Sequence, residues 1–284
     1  MCDDVCFTDL SRRDFGALSV AASVLAAPAV THAGVPVTET DVEIKTADGT
    51  ADAVFMAPST GKHPGVLVWT DIMGLRPAFR DMGRRLAAEG YAVLTPNPFY
   101  RASGKVPKEG LGLSFQDPGA REKMMGLMGG LVAPGAAERD AATFVAWLDG
   151  QPQVDTAKKI GTSGYCMGGP LIMRTAASLP GRIGAAGSFH GGGLVTDKPE
   201  SPHLMIPKMK AKMLIAIAVD DDAKQPEAKD VLKAAFAAAN VAAEIEVYAD
   251  SKHGWCVPGS PVHNPAQADR AFTRLLATFK AGLA

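Results

Sequence analysis

The sequence has almost no excess of charge: 29 basic against 30 acidic residues leave a net −1. A nucleic-acid or anionic-membrane surface needs a basic excess, so its absence argues against both partners. No apolar run reaches the roughly 18 residues that a transmembrane helix requires. No CxxC or HExxH spacing occurs, so neither a metal nor an organic cofactor is implied. Cysteine is scarce, at four residues, and no internal repeat or low-complexity linker divides the chain. What is present, 47% hydrophobic and 21% charged residues over 284 positions, suits one large α/β domain.

The N-terminal residues stand apart from this composition. Ser11-Arg-Arg-Asp-Phe15 precedes an uncharged stretch over residues 17–30, and small residues follow at Ala27-Pro28-Ala29 and Thr31-His32-Ala33. Paired arginines, a short weakly apolar segment and a small-residue cleavage site have the form of a bacterial twin-arginine signal. An amphipathic first helix is the alternative, but the stretch offers no polar face. The expectation is a signal over residues 1–33, read by the twin-arginine export machinery, and a single periplasmic α/β domain over residues 34–284. Cys2 and Cys6 then leave with the signal. Cys166 and Cys256 remain, and in an oxidising compartment they could form a structural disulfide. A twin-arginine substrate can fold before export, which would keep the two thiols apart.

Beyond residue 34, short apolar runs alternate with helical patterns. Residues 42–46 alternate, Asp48-Gly49 is a hairpin turn signal, and 53–57 return as a second strand. Further strands are expected at 65–70, 91–95, 159–162, 184–189, 213–219 and 244–248. Helices are expected at 77–89, with Phe79, Met82 and Leu86 inward, and at 136–148, 167–179, 226–239 and 265–281. Residues 101–134, rich in Gly, Met and Leu, read as an insertion with a short helix around 121–128. The alternation implies βαβ units and a mostly parallel sheet covered by helices on both faces.

One stretch carries the chemistry. In Ile160-Gly-Thr-Ser-Gly-Tyr-Cys-Met-Gly-Gly-Pro170 a cysteine stands between Gly164 and Gly168 where a strand gives way to a helix. This fits G-x-nucleophile-x-G, in which a strained turn lifts the nucleophile above the sheet edge and the glycines avoid clashes with strand and helix. The helix that follows aims unpaired N–H groups and a partial positive charge at the same spot. A buried structural cysteine at a tight βα turn is the competing reading.

Chain order supports the nucleophile. A hydrolytic triad on this fold runs nucleophile, acid, histidine, each on a loop after a strand. Asp220-Asp221-Asp222 follows the strand ending near 219, and His253 follows the strand ending at 248. The loop after residues 65–70, Asp71-Ile-Met-Gly74, is where a second oxyanion donor belongs, so the backbone N–H groups of Ile72 and Met167 are assigned that role. Asp71 is the only acid of that loop that could reach Cys166. His190-Gly-Gly-Gly193 imitates the oxyanion motif of lipases, but that motif belongs ahead of the nucleophile, so this one reads as a tight turn beneath the site. His190, His203 and His263 are taken as structural.

These residues resemble the dienelactone hydrolase family of α/β-hydrolases over nearly all of residues 42–279. The matching marks are Asp71–Gly74, Asn97-Pro-Phe-Tyr-Arg101, the Gly-Tyr-Cys-Met-Gly-Gly elbow, the aspartate after the strand, and His253-Gly-Trp255. The resemblance implies an α/β-hydrolase fold and a triad of Cys166, Asp221 (or its neighbour Asp222) and His253. It also implies a thiol-activating acid at Asp71, and substrate contacts from Tyr100, Arg101 and Trp255. Two positions depart from the family pattern. Asp71 stands where the family has a glutamate that contacts the resting thiol. Val257 stands where better-known members place a carboxylate-binding arginine; Arg101 and Arg76 are the candidates to replace that charge.

The expected reaction is hydrolysis of a small ester or enol-lactone through a cysteine thioester. Activated esters suit it better than peptides, because a thiolate expels good leaving groups more readily than amines. The alternatives are a non-catalytic or thiol-redox protein of the same fold, marked by a Cys166–Cys256 disulfide, and a cysteine amidase or peptidase.

Overall fold

Asp48-Gly49 closes a hairpin between β1 (Val37–Thr46) and β2 (Gly49–Pro58). Gly49 takes φ 141°, where a glycine is favoured, and the Asp48 N–H donates to Thr46 Oγ1 at 3.1 Å. The computed structural model describes residues 35–284, so the signal expected over 1–33 lies outside the described residues.

Six further strands follow: β3 (Gly65–Trp69), β4 (Ala92–Pro96), β5 (Ile160–Tyr165), β6 (Ile183–Phe189), β7 (Lys212–Ala218) and β8 (Ala243–Tyr248). They form one sheet in the order β1-β2-β4-β3-β5-β6-β7-β8. The β1–β2 and β2–β4 pairs are antiparallel, and every pair from β4–β3 onward is parallel. Every residue of β3 and β4 is buried, the outcome expected of unbroken apolar runs covered on both faces.

Adjacent strand residues point to opposite faces, and the two cores follow that alternation. On one face Val66, Val93 and Leu214 meet Phe79 and Leu86 of α1 (Pro77–Ala88) and Leu275 and Phe279 of α8 (Pro265–Gly282). On the other, Leu67, Leu94 and Ile215 meet α4 (Ala136–Asp149), α5 (Gly168–Ser178) and α7 (Ala228–Ala238). Each such Leu or Phe contributes about 1.5–3 kcal/mol of apolar burial.

Some local expectations change. In α1 it is Gly83 that is buried with Phe79 and Leu86, while Met82 only partly packs. A Cβ at Gly83 would come 3.1 Å from Met56 Sδ, so the helix lies close to β2 there. In the 101–134 segment the helix α3 (Ala120–Val132) is longer than expected, and a short α2 (Tyr100–Ser103) precedes it. A 3-10 helix (Pro202–Lys208) and α6 (Val219–Lys224) were not anticipated; both are too short for a periodic signal.

The parallel order brings the carboxyl ends of β3, β5, β6, β7 and β8 to one edge. The loops carrying Asp71, Cys166, His190, Asp220–Asp222 and His253 leave from those ends.

Candidate active site

Cys166 occupies the turn between β5 and α5 at φ 53°, a left-handed value that L residues rarely adopt. Its neighbours make the turn possible. A Cβ on Gly164 would sit 2.1 Å from the Gly168 carbonyl oxygen, and one on Gly168 would sit 2.5 Å from that of Trp69. Neither position can carry a side chain without moving the backbone. The glycines at −2 and +2 are therefore a steric condition for presenting the sulfur.

The acidic triplet divides three ways. Asp221 Oδ2 accepts from His253 Nδ1 at 2.6 Å. Asp220 Oδ1 accepts the backbone N–H of His253 at 2.8 Å. Asp222 turns away to Lys229 Nζ at 2.7 Å. Of Asp221 and Asp222, it is Asp221 that orients the imidazole. With Nδ1 held by Asp221, Nε2 is the ring nitrogen left for a second partner, and Cys166 is a neighbour that favours the charged ring. The bond to Asp221, then the interaction with Cys166, hold the His253 pKa up at about 10 against the opposing pull of burial.

The two expected oxyanion donors are unoccupied among the described residues. In the β3 loop the Met73 and Gly74 amides donate to Asp71, at 2.9 and 3.0 Å, while the Ile72 N–H has no acceptor. At the elbow the Cys166 and Gly169 amides are both used, and the Met167 N–H has no acceptor. Met167 is the N-cap of α5, so its N–H belongs to the unpaired first turn of that helix.

Asp71 is placed differently from the expectation. Arg76 Nη1 and Nη2 grip its two carboxylate oxygens at 2.6 and 2.7 Å, and no hydrogen bond joins it to Cys166 among the described residues. Its side chain shapes its own loop, the loop that presents Ile72.

Tyr100, Arg101 and Trp255 are likewise not free to meet a substrate. Tyr100 is buried, with its hydroxyl donating to Asp140 at 2.9 Å and bonded to Thr46 Oγ1 at the same distance. Burial, then the neighbouring Asp140, push its pKa up to about 12, with the Thr46 bond pulling the other way. Arg101 pairs with Asp140 Oδ1 at 2.7 Å and with Asp48 Oδ2 at 2.7 Å. The Asn97–Arg101 segment thus ties the β1–β2 turn to α4. Trp255 has no exposed surface, and it stacks on Tyr248 with ring centroids 5.3 Å apart.

His190 is the site residue that the sequence reading set aside. It follows β6 at φ 41°, is 1% exposed, and its Nδ1 shares the Cys166 backbone N–H with the Phe189 carbonyl, at 3.1 and 3.0 Å. Its ring also meets those of His253 and Trp255 edge-on, each with centroids 5.1 Å apart. An Nδ1 that accepts leaves the ring proton on Nε2, so the imidazole is neutral. Burial, reinforced by His253, holds its pKa well below the ordinary histidine range. The signal was present in the sequence as a histidine closing a strand, but the lipase-like Gly-Gly-Gly tail drew it toward a motif out of order. Cys166 and Cys256 are both free, and Cys256 is buried in the core with Tyr165, Phe189 and Tyr248. No cluster of three potential metal ligands occurs among the described residues.

Comparison with known proteins identifies the family. The sequence profile described as the dienelactone hydrolase family matches residues 51–283. A protein of Escherichia coli provisionally named carboxymethylenebutenolidase is 28% identical over 228 residues, covering 78% of each chain. A carboxymethylenebutenolidase of a Pseudomonas species is 27% identical over 235 residues, covering 82% of this chain and 90% of its own. Among solved structures, a provisionally named dienelactone hydrolase of Klebsiella pneumoniae superposes with a TM-score of 0.74 at 22% identity, over 86% of this chain and 99% of its own. The profile match spans most of the chain and both curated relatives cover more than three quarters of it, so the chain belongs to the dienelactone hydrolase family of lactone and ester hydrolases.

Proposed function

We propose that the chain hydrolyses carboxylic esters or lactones through a thioester on Cys166. The observation that carries this reading is the Asp221–His253 pair, closed at 2.6 Å, beside a cysteine held at φ 53° between two obligatory glycines. The Cys166 sulfur attacks the carbonyl carbon as a thiolate, and the carbonyl oxygen takes the negative charge between the Ile72 and Met167 N–H groups. Such a donor lowers the barrier by about 3–4 kcal/mol. The oxyanion re-forms the carbonyl, the C–O bond breaks, and the His253 imidazolium gives its proton to the departing alkoxide. The neutral imidazole then takes a proton from water, which cleaves the thioester and restores the thiolate–imidazolium pair.

Three other groups support this centre without touching the substrate. Asp221 orients His253. Asp71, through Arg76, fixes the loop that presents Ile72. His190 is a positioning residue, packed against His253 and bonded to the Cys166 amide. Export belongs to the same proposal: the Arg12-Arg13 segment directs the chain through the twin-arginine machinery to the periplasm. The mass of the mature chain, isolated from the periplasm of the wild type and of an Arg12→Lys, Arg13→Lys variant, tests that part.

Rapid acid quench of a p-nitrophenyl acetate reaction, followed by peptide mass spectrometry, tests the chemistry. An acetyl group on the Cys166 peptide, lost in Cys166→Ala together with turnover, is the expected result. Activity that survives Cys166→Ala would end this reading.

A further inference from the structure

The resemblance drawn from the sequence implies arginines that hold a substrate carboxylate, and the candidate charges here are all committed. Val257 is an apolar residue, 1% exposed. Arg101 is neutralised by Asp140 and Asp48. Arg76, the other candidate, is closed in a two-bond pair with Asp71. No unpaired guanidinium is offered by any of these positions to a substrate anion.

What opens at Met167, the residue after the nucleophile, is instead largely apolar. A cleft of about 770 Å³ starts at Met167 and at Gly192 and Gly193 of the β6 loop. Its floor is the outer face of α5, where residues 167, 171 and 174 fall on successive turns. The end of α3 and the 3-10 helix form its walls, and its lining includes Met128, Leu131, Val132, Met167, Leu171 and Met205. The lining holds two acidic and two basic side chains, Glu138 and Glu200 against Arg174 and Lys198. Arg174, the one nearest the floor, is tied to Glu138 Oε1 at 2.8 Å and to the Glu200 carbonyl at 2.9 Å. A volume of this size is that of a small-molecule site, and methionine-rich walls adapt to arms of different shape.

We infer that the cleft over α5 is the subsite for the apolar arm of a neutral ester, and that the enzyme selects against substrates bearing a carboxylate on that arm. This rests on the hydrolase reading above. Each methylene that enters the cleft then raises kcat/KM about fourfold until the cleft is filled, the factor equivalent to burying one CH₂. A terminal carboxylate loses that gain and meets Glu138 and Glu200, while Lys198, the lining cation outside an ion pair, is exposed to solvent.

The test uses two ester series, p-nitrophenyl acyl esters from acetate to decanoate and acetates of alkanols of the same lengths. It adds one matched pair, p-nitrophenyl hexanoate against the mono-p-nitrophenyl ester of adipic acid. The expected results are a rise of kcat/KM with length in at least one series, and hexanoate faster than the adipate ester by at least about tenfold. Met205→Glu in the wall flattens the rise. Val132→Asp at the exposed end of α3 does the same and serves as the second variant should the first not fold. A flat length dependence in both series, an adipate ester faster than hexanoate, or a folded pair of variants with unchanged slopes overturns the subsite while acetate turnover keeps the hydrolase reading. Loss of all ester turnover in the wild type overturns both.

Discussion

Cys166 and Cys256 are the same residue in two settings, and the contrast shows what makes a cysteine reactive. Cys166 is lifted on a left-handed turn at the sheet edge beside an imidazole. Cys256 lies three residues past His253, yet it packs in the apolar cluster of Tyr165, Phe189 and Tyr248, where burial pushes its thiol well above the ordinary range. Proximity along the chain to the base does nothing for it. Nucleophilicity here comes from backbone geometry and from the group the sulfur faces.

The largest expected effect comes from exchanging the two positions as targets. Cys166→Ala lowers kcat by about 10⁴-fold or more, whereas Cys256→Ala leaves ester hydrolysis within about twofold and costs on the order of 1 kcal/mol of stability. Steady-state kinetics and urea melts read both, and of Cys166 and Cys256 iodoacetamide should modify Cys166 alone in the native protein. Comparable losses of activity from the two variants would break the contrast.

Next in size is the turn itself. Gly164→Ala places a Cβ 2.1 Å from backbone oxygen, so the elbow must open, with destabilisation of about 3 kcal/mol or more and loss of the Cys166 alkylation rate. Wild-type reactivity in a folded Gly164→Ala protein would show that the turn is not what exposes the sulfur.

His190 gives a smaller, more pointed effect. His190→Phe keeps a ring against His253 and removes one of the two acceptors of the Cys166 amide, leaving the Phe189 carbonyl, with an expected loss of about threefold in kcat/KM. His190→Asn offers an oxygen near the Nδ1 position and should recover most of it. Equal activity in the two variants would reduce His190 to packing alone.

The smallest effect sharpens the contrast through pH. Because the folded pKa of His253 is raised, from 6.5 to about 10, its contribution to stability is complete below about pH 6.5. It declines as the pH rises and is lost above about 10. The melting temperature of wild type should therefore fall across that window relative to His253→Gln. An NMR titration of His253 should show its midpoint lowered most by Asp221→Asn, less by Cys166→Ala and not at all by Cys256→Ala. A midpoint indifferent to Cys166 would separate the sulfur from the imidazole.

Much of this could be read before folding. β3 and β4 are unbroken apolar runs, and such runs at 65–70 and 91–95 have few alternatives to a doubly covered strand. The elbow was legible for a similar reason: glycines two residues before and after a cysteine at a strand end answer a local steric demand. The order Cys166, Asp221, His253 followed from the loops after successive strands. Less legible was anything decided by competition between partners. Asp221 and Asp222 are indistinguishable as letters, and only the position of Lys229 draws one of them away. Asp71 was a reasonable neighbour for the thiol until Arg76, five residues on, closed over it. Tyr100 and Arg101 looked like substrate ligands, but Asp140 and Asp48, 40 and 53 positions from them in sequence, hold them first.

The sequence by itself determined the strand–turn–helix grammar, the left-handed elbow and the order of the reactive groups, because steric limits and hydrophobic periodicity act over a few residues at a time. Only the tertiary structure decided which carboxylate meets which cation, that His190 backs Cys166, and that a largely apolar cleft opens at Met167. Those outcomes depend on side chains brought together from remote positions, where each charged group takes the partner that folding places within reach.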